Sequence, residues 1–250
     1  MTYCVAIATE QGLVFASDSR TNAGPDQLST FSKMHVLMED GHRFFVLLSA
    51  GNLATTQAVR AQVRHDLEFG EEPNLLTVRS TVEAAEYLGS ISVEARQKHS
   101  EGPEAEADLS ATFILGGQIE GREAGIYLIY PEGNFIRASH MTCYLQVGEL
   151  KYGKPILDRL ARYDMRMDEA ARLALLSMDA TMRSNVTVGP PVELMTYEAG
   201  TQVRKWNRVF GEEDSYMREL RRSWQVNLEN AFQRLPELPK PAAKPPGRDG

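Results

Sequence analysis

The sequence predicts an α/β chain of the α+β kind, a four-layer αββα sandwich of two antiparallel sheets stacked between helical layers. Three observations carry this. Short apolar runs joined by tight turns open the chain, a pair of amphipathic helices follows each block of such runs, and strands never alternate one for one with helices as a parallel sheet requires.

The first 50 residues hold four runs rich in Val, Ile, Phe and Leu, at Tyr3–Ala8, Leu13–Ser19, Met34–Glu39 and Arg43–Ser49. Gln11-Gly12 and Asp40-Gly41 divide them into two hairpins, so the sheet they begin is antiparallel. After Gly51 the period becomes helical: Val59, Val63 and Leu67 share one face, then Val82, Ala85, Leu88, Ile91 and Ala95 share another. Glu101, Gly102, Pro103, Glu104, Glu106 and Asp108 read as an acidic turn before a second strand block at Ala111–Leu115, Ile126–Tyr130, Asn134–Arg137 and Cys143–Val147. Its turns are expected at Gly116-Gly117 and at Pro131-Glu132-Gly133.

A second helix pair follows at Pro155–Tyr163 and Asp168–Arg183, where Pro155 suits a first helical position and Asp168-Glu169 complement the helix dipole. Val192–Tyr197 and Thr201–Trp206 read as a closing hairpin across Glu198-Ala199-Gly200. Met217, Leu220, Trp224, Leu228 and Phe232 mark one long helix whose apolar stripe must pack on the core or on a neighbouring subunit. Residues 236–250 hold five of the chain's 12 prolines, so a single domain over residues 1–235 and a disordered Pro-rich tail are expected.

Composition narrows the function classes. The chain has 250 residues, 42% of them hydrophobic, and a net charge of −7, enough apolar material for a sizeable core. Residues 201–250 total +3, which leaves −10 on the rest, a body too acidic for nucleic-acid binding. The longest apolar run, Phe44 to Ala50, is far short of the roughly 20 residues that cross a bilayer, and a cytoplasmic protein without a targeting segment is expected. The 2 cysteines, Cys4 and Cys143, read as small core residues. The 5 histidines form no H-E-x-x-H pair and neither cysteine has a ligand neighbour, so no metal or cofactor is expected. A phosphate loop, a G-x-S-x-G elbow and a Ser-His-Asp setting are all missing.

What remains is the amino terminus. Initiator methionine is normally removed when the second residue is small, and Thr2 would then carry a hydroxyl and a free α-amine. Such an amine has a pKa of about 7.7–8.0 and serves as a base near neutral pH, so one residue supplies both nucleophile and base. Asp18 ends the second strand and Lys33 begins the third, so both are expected at the sheet edge near Thr2. There Lys33 would favour the alkoxide and Asp18 would restrain the ammonium; as residues alone, the two read rather as a solvated pair at strand ends.

These residues lie in stretches that resemble a known family. Met1-Thr2-Tyr3-Cys4-Val5-Ala6, Ser17-Asp18-Ser19-Arg20-Thr21-Asn22-Ala23-Gly24, Ser32-Lys33-Met34 and Leu48-Ser49-Ala50-Gly51-Asn52 resemble a proteasome β subunit, among the N-terminal-nucleophile hydrolases. Gly148-Glu149-Leu150-Lys151-Tyr152-Gly153-Lys154-Pro155 and Arg183-Ser184-Asn185-Val186-Thr187-Val188-Gly189-Pro190-Pro191 are similar to its bacterial branch, Anbu, the ancestral β subunit. The resemblance implies a threonine-type amidohydrolase, a peptidase, with Thr2 as nucleophile, Asp18 and Lys33 as its supports, and the Gly51 amide as oxyanion donor. It also implies that Thr21 and Ser49 line the substrate groove, although as residues alone they read as turn residues.

One departure from the family pattern is visible. Ser184, Asn185, Thr187 and Val188 stand in the loop where an aspartate and a serine-glycine pair are usual, and Glu149 stands where a serine is usual. Ser184 or Thr187 is then the expected hydrogen-bond partner of the amine. The resemblance further implies self-association into a ring or an open spiral; an ATPase partner has no docking sequence here to support it. Two other readings stay open, an assembly or binding protein with a vestigial site and a hydrolase of a non-peptide amide.

Overall fold

Side-chain alternation along each strand decides which of two apolar cores that strand feeds. In the computed structural model, which describes residues 1–22, 28–100 and 108–239, the strands are β1 (Tyr3–Thr9), β2 (Gly12–Asp18), β3 (Arg20–Asn22), β4 (Leu28–Thr30), β5 (Met34–Glu39), β6 (Arg43–Gly51), β7 (Ala111–Ile119), β8 (Gly125–Ile129), β9 (Phe135–Arg137), β10 (Tyr144–Gly148), β11 (Val192–Glu198) and β12 (Arg204–Phe210). One five-stranded sheet runs β10-β1-β2-β11-β12, another runs β5-β6-β7-β8-β9, and β3 pairs with β4. Every pairing is antiparallel.

Strand β6 shows the two-core rule. Phe44, Val46 and Leu48 point between the sheets, where they meet Cys4, Ala6, Leu13 and Phe15 of the first sheet, and the Phe44 ring stacks on Tyr197 at 4.3 Å. Phe45 and Leu47 point the other way, into a core shared with helices α1 (Leu53–Phe69) and α2 (Thr81–Ser100) through Val59, Val63, Leu88 and Ile91. Period-two alternation thus makes β6 the partition between both cores. On the outer face of the first sheet lie α3 (Lys154–Leu160) and α4 (Met167–Ser184). Helix α4 buries Ala170, Leu173, Ala174, Ser177, Met178 and Thr181, a 3.6-residue stripe of mostly small side chains that lets it sit close to β1 and β2. The order of layers is that of the expected αββα sandwich, with the two cysteines buried and unpaired.

Four differences from the sequence reading have physical reasons. Gly116-Gly117 is not a turn: both glycines lie inside β7, and the chain reverses beyond Ile119. They are needed in the strand because a Cβ on Gly116 would come within 2.3 Å of the Phe15 ring, and one on Gly117 within 2.3 Å of the Phe44 carbonyl. The short β3-β4 pair forms in a stretch without the apolar alternation that signals a strand. The last strand is Arg204–Phe210, shifted toward the C-terminus of Thr201–Trp206, because residues 199–203 form the turn. Of the acidic turn, only Asp108 is described, and residues 101–107 lie outside the described residues, as do 240–250 of the tail; 236–239 have no regular structure.

The chain divides into two units, Met1–Asp214 with both sheets and a second beginning at Ser215. The second holds α5 (Ser215–Gln233), along which Met217, Leu220, Trp224, Leu228 and Phe232 recur on one stripe.

The close packing over Gly116 has a measurable consequence. Phe15 is fully buried and has no room to yield, so Gly116→Ala is expected to lower stability by about 1–3 kcal/mol in urea unfolding. An unchanged midpoint would show that the ring moves aside freely.

Candidate active site

A cleft of about 340 Å³ opens at the sheet edge where β1 begins, lined among others by Met1, Thr2, Lys33, Ser49, Gly51 and Gly148. Strand pairing positions its first residues. The register Cys4↔Ser17 brings Asp18, the last residue of β2, beside Tyr3, and the Tyr3 N–H donates to Asp18 Oδ1 at 2.9 Å. On the other flank the Glu149 N–H donates to the Thr2 carbonyl at 2.7 Å. The peptide bond between Thr2 and Tyr3 is therefore held through both its N–H and its carbonyl. Gly148 makes the second contact possible: its φ is +89°, and a Cβ there would lie 2.0 Å from the Thr2 carbonyl oxygen.

The charges behind Thr2 are buried. Asp18 is 0% and Lys33 7% exposed, with Lys33 Nζ 2.7 Å from Asp18 Oδ1. The same ammonium donates to the Arg20 carbonyl at 2.7 Å, and the Gly189 N–H reaches Asp18 Oδ2 at 3.4 Å. Burial pushes the Asp18 carboxyl up, while the Lys33 charge and the Tyr3 and Gly189 amides pull it back down. The solvated pair that the residues alone allow is thus not what forms; no local pattern in the sequence reports that the Gly189 and Arg20 segments close over the carboxylate. The chain's free amine, here on Met1, is lowered from 8.0 by burial and by Lys33, against the opposing pull of Asp18 and Glu149.

The loop after α4 borders the same region. Ser184, the last helical residue, is exposed, and Thr187 Oγ1 donates to Asn185 Oδ1 at 2.6 Å. Asn185, which in the sequence stands out only as part of the departure, donates through Nδ2 to Glu149 Oε2 at 2.9 Å and so ties that carboxylate in place. Arg20 clamps the loop, donating from a guanidinium nitrogen to the Val186 carbonyl at 2.8 Å and packing against Gly189, where a Cβ would meet it at 2.3 Å. Ser49 and Gly51 face the cleft; Thr21 lies in β3 opposite Ser29, and its side chain is outside the described residues. Gly51, at φ +109°, turns the chain from β6 into α1, whose N-cap Asn52 accepts from the Thr55 N–H. His35 and Arg60 also line the cleft, and sequence reasoning misses both: a lone histidine in a strand and an arginine on a helix carry no motif.

Away from these residues, His65, Asp66 and Glu71 bring ligand atoms within 4.8 Å of one another. Asp66 is already engaged there, accepting from Tyr87 Oη at 2.6 Å and from the Gln62 amide at 2.7 Å.

Comparison with known proteins identifies the family. The family model described as "Proteasome subunit" matches residues 2–196. The chain belongs to the proteasome subunit family. Within it, the chain is 43% identical to Anbu, the ancestral β subunit, of Yersinia bercovieri, covering 95% of this chain and 99% of that one with a TM-score of 0.88. It is 44% identical to an Anbu (Gly-1) mutant of Hyphomicrobium sp. strain MC1, covering 96% and 100% with a TM-score of 0.89. A solved structure of the helical assembly of the Anbu complex from Pseudomonas aeruginosa is 42% identical, with coverage of 96% and 99% and a TM-score of 0.89. No curated protein matches. The chain thus falls in the Anbu branch, and its two sheets and helical layers have the N-terminal-nucleophile hydrolase fold.

For this Anbu-family chain the buried pair gives a first prediction. Lys33→Met leaves the Asp18 carboxylate buried without its cation and is expected to cost about 3–5 kcal/mol in chemical unfolding, most of which Asp18→Asn in the same background should restore. A loss below about 1 kcal/mol would mean that solvent reaches the carboxylate. His35 gives a second. Burial lowers its pKa from 6.5 to about 4, so between those values the unfolded chain takes up a proton that the folded chain refuses. Stability should fall as pH drops from 6.5 toward 4, and His35→Gln should flatten that fall in thermal melts at about pH 7 and pH 5.

Proposed function

We propose that the mature chain is a threonine-type peptidase that uses Thr2 as its nucleophile once Met1 has been removed. The observation that carries this reading is the fixed Thr2–Tyr3 peptide, its N–H held by Asp18 and its carbonyl by the Glu149 N–H, beside a buried Lys33 ammonium that lines the same cleft. Thr2 Oγ attacks the substrate carbonyl and passes its proton to the Thr2 α-amine. Lys33 favours the developing alkoxide, and Asp18, locked to Lys33 and to the Tyr3 amide, keeps that cation in register. Negative charge on the carbonyl oxygen is met by the backbone N–H of Gly51, which lines the same cleft. Collapse of the tetrahedral intermediate breaks the C–N bond, the ammonium returns its proton to the leaving amine, and water then hydrolyses the ester with the amine again as base. Ser49 and Thr21 flank the substrate, while Ser184 and Thr187 belong to the loop that supports the amine. The steps draw on no metal or cofactor.

Self-association belongs to the same proposal. The similar Anbu complex of Pseudomonas aeruginosa forms a helical assembly, and α5 carries exposed Leu228 and Phe232 on its apolar stripe, a surface suited to another copy of the chain. No helix among the described residues is long and apolar enough to cross a membrane, and we assign the enzyme to the cytoplasm.

Protein shown by mass spectrometry to begin at Thr2 is expected to cleave members of a peptide library. Thr2→Ala should lower the rate by roughly four orders of magnitude or more, with Thr2→Ser keeping part of it. With the Thr2 amine as base, kcat of protein beginning at Thr2 should rise with pH as that amine loses its proton and then level off. Turnover that survives Thr2→Ala unchanged would remove Thr2 from the reaction.

A further inference from the structure

We infer that the cleft selects a substrate bearing a carboxylate, which docks on the Arg60 guanidinium of α1; this rests on the peptidase reading above only for the fate of the bound peptide. Four basic residues line the cleft, Arg20, Lys33, His35 and Arg60, and among the described residues lining it none is acidic. Three of them are accounted for. Lys33 is neutralised by Asp18, Arg20 is spent on the Val186 carbonyl, and His35 is neutral near pH 7 because burial lowers it to about 4.

Arg60 is different. It is half-buried, and among the described residues it has neither an ion pair nor a hydrogen-bond partner. One helical turn further on stands Arg64, also without a partner among the described residues. A smaller depression of about 110 Å³, lined by His35, Val36, Arg60 and Arg64 among others, adjoins the first, since His35 and Arg60 line both. Like charges at i and i+4 destabilise a helix, and burial together with Arg64 holds the Arg60 guanidinium below its ordinary value. Folding therefore gains nothing from this pair. A planar, weakly hydrated guanidinium on the wall of a cleft without acids is a receptor for a carboxylate, which it can hold through two parallel N–H···O bonds. The source of that carboxylate is either a glutamate or aspartate side chain or the free C-terminus of a peptide.

The test uses the Thr2→Ala chain, so that binding is read without turnover, and fluorescent alanine peptides observed by anisotropy. One series carries a single glutamate at successive positions and an amidated C-terminus, a second replaces that glutamate by glutamine, and a third has a free C-terminal carboxylate and no glutamate. At one position the glutamate peptide is expected to bind about 10-fold tighter than its glutamine counterpart, or, if the C-terminus is the ligand, the free acid about 10-fold tighter than its amide. Arg60→Gln should reduce that preference to within about twofold, Arg60→Lys should keep part of it, and Arg60→Glu should transfer it to a lysine peptide, an outcome that an unfolded variant would not produce. Equal binding of charged and uncharged peptides, binding of neither, or a preference that survives Arg60→Gln would overturn the inference. Failure of the peptidase reading looks different: acidic peptides bind selectively to Arg60, yet wild-type protein beginning at Thr2 cleaves none of them.

Discussion

The carboxylate of Asp18 is the point from which the rest of the site is built. A fully buried carboxylate is tolerable only where its oxygens are met by donors, and here the Tyr3 amide, the Lys33 ammonium and the Gly189 amide come from three separate parts of the chain. Each donor anchors a different wall. Tyr3 fixes the residue after Thr2, Lys33 fixes the entrance of β5 and through its carbonyl receives the Ser49 N–H at 3.0 Å, and Gly189 fixes the loop after α4. A single desolvated charge thus sets the relative positions of the proposed nucleophile, the floor of the cleft and the loop beside the amine.

The layered fold makes that convergence possible. Because β6 serves both cores as far as Leu47 and Leu48, with Ala50 still in the core between the sheets, the cleft wall at Ser49-Ala50-Gly51 continues a strand packed on both faces. The opposite wall is a strand end of the other sheet, where Tyr3↔Gly148 pairing leaves Thr2 just outside the ladder. Tyr3 itself is pinned from the helical side, its hydroxyl 2.5 Å from both Ser177 Oγ and the Gln146 amide, and burial pushes its pKa up to about 12 against the opposing pull of these contacts, so it stays a neutral tether. The amino terminus is therefore not a loose end: strand pairing, a buried hydrogen-bond network and a buried charge all act within two residues of Thr2.

Much of this is readable in the residues because the determining signals are local. Apolar runs and their turns locate the strands of both sheets, helical spacing locates the helices, and Thr2, Asp18 and Lys33 draw attention by chemistry as well as by the family resemblance. What is not readable depends on tertiary packing. Gly116-Gly117 has the composition of a turn, and only the Phe15 ring against Gly116 and the Phe44 carbonyl against Gly117 explain two glycines in mid-strand. The buried state of the Asp18–Lys33 pair depends on Arg20, 13 residues from Lys33, and on Gly189, 171 residues from Asp18, and no periodicity reports such coverage. Asn185 is visible as a substitution, but its grip on Glu149 is set by the approach of two loops. Arg60 has no motif at all; its interest lies in the partner it lacks among the described residues.

The central claim is that one residue, Thr2, supplies both nucleophile and base. A peptide epoxyketone tests both roles at once, since the hydroxyl adds to the ketone and the α-amine opens the epoxide, so that both atoms become bonded to the probe. Intact-mass and fragment mass spectrometry of probe-treated protein beginning at Thr2 should find one whole probe per chain, bonded to Thr2, and none on protein that retains Met1. Unmodified Thr2 in protein that begins there, or a probe attached at another residue, would contradict the account.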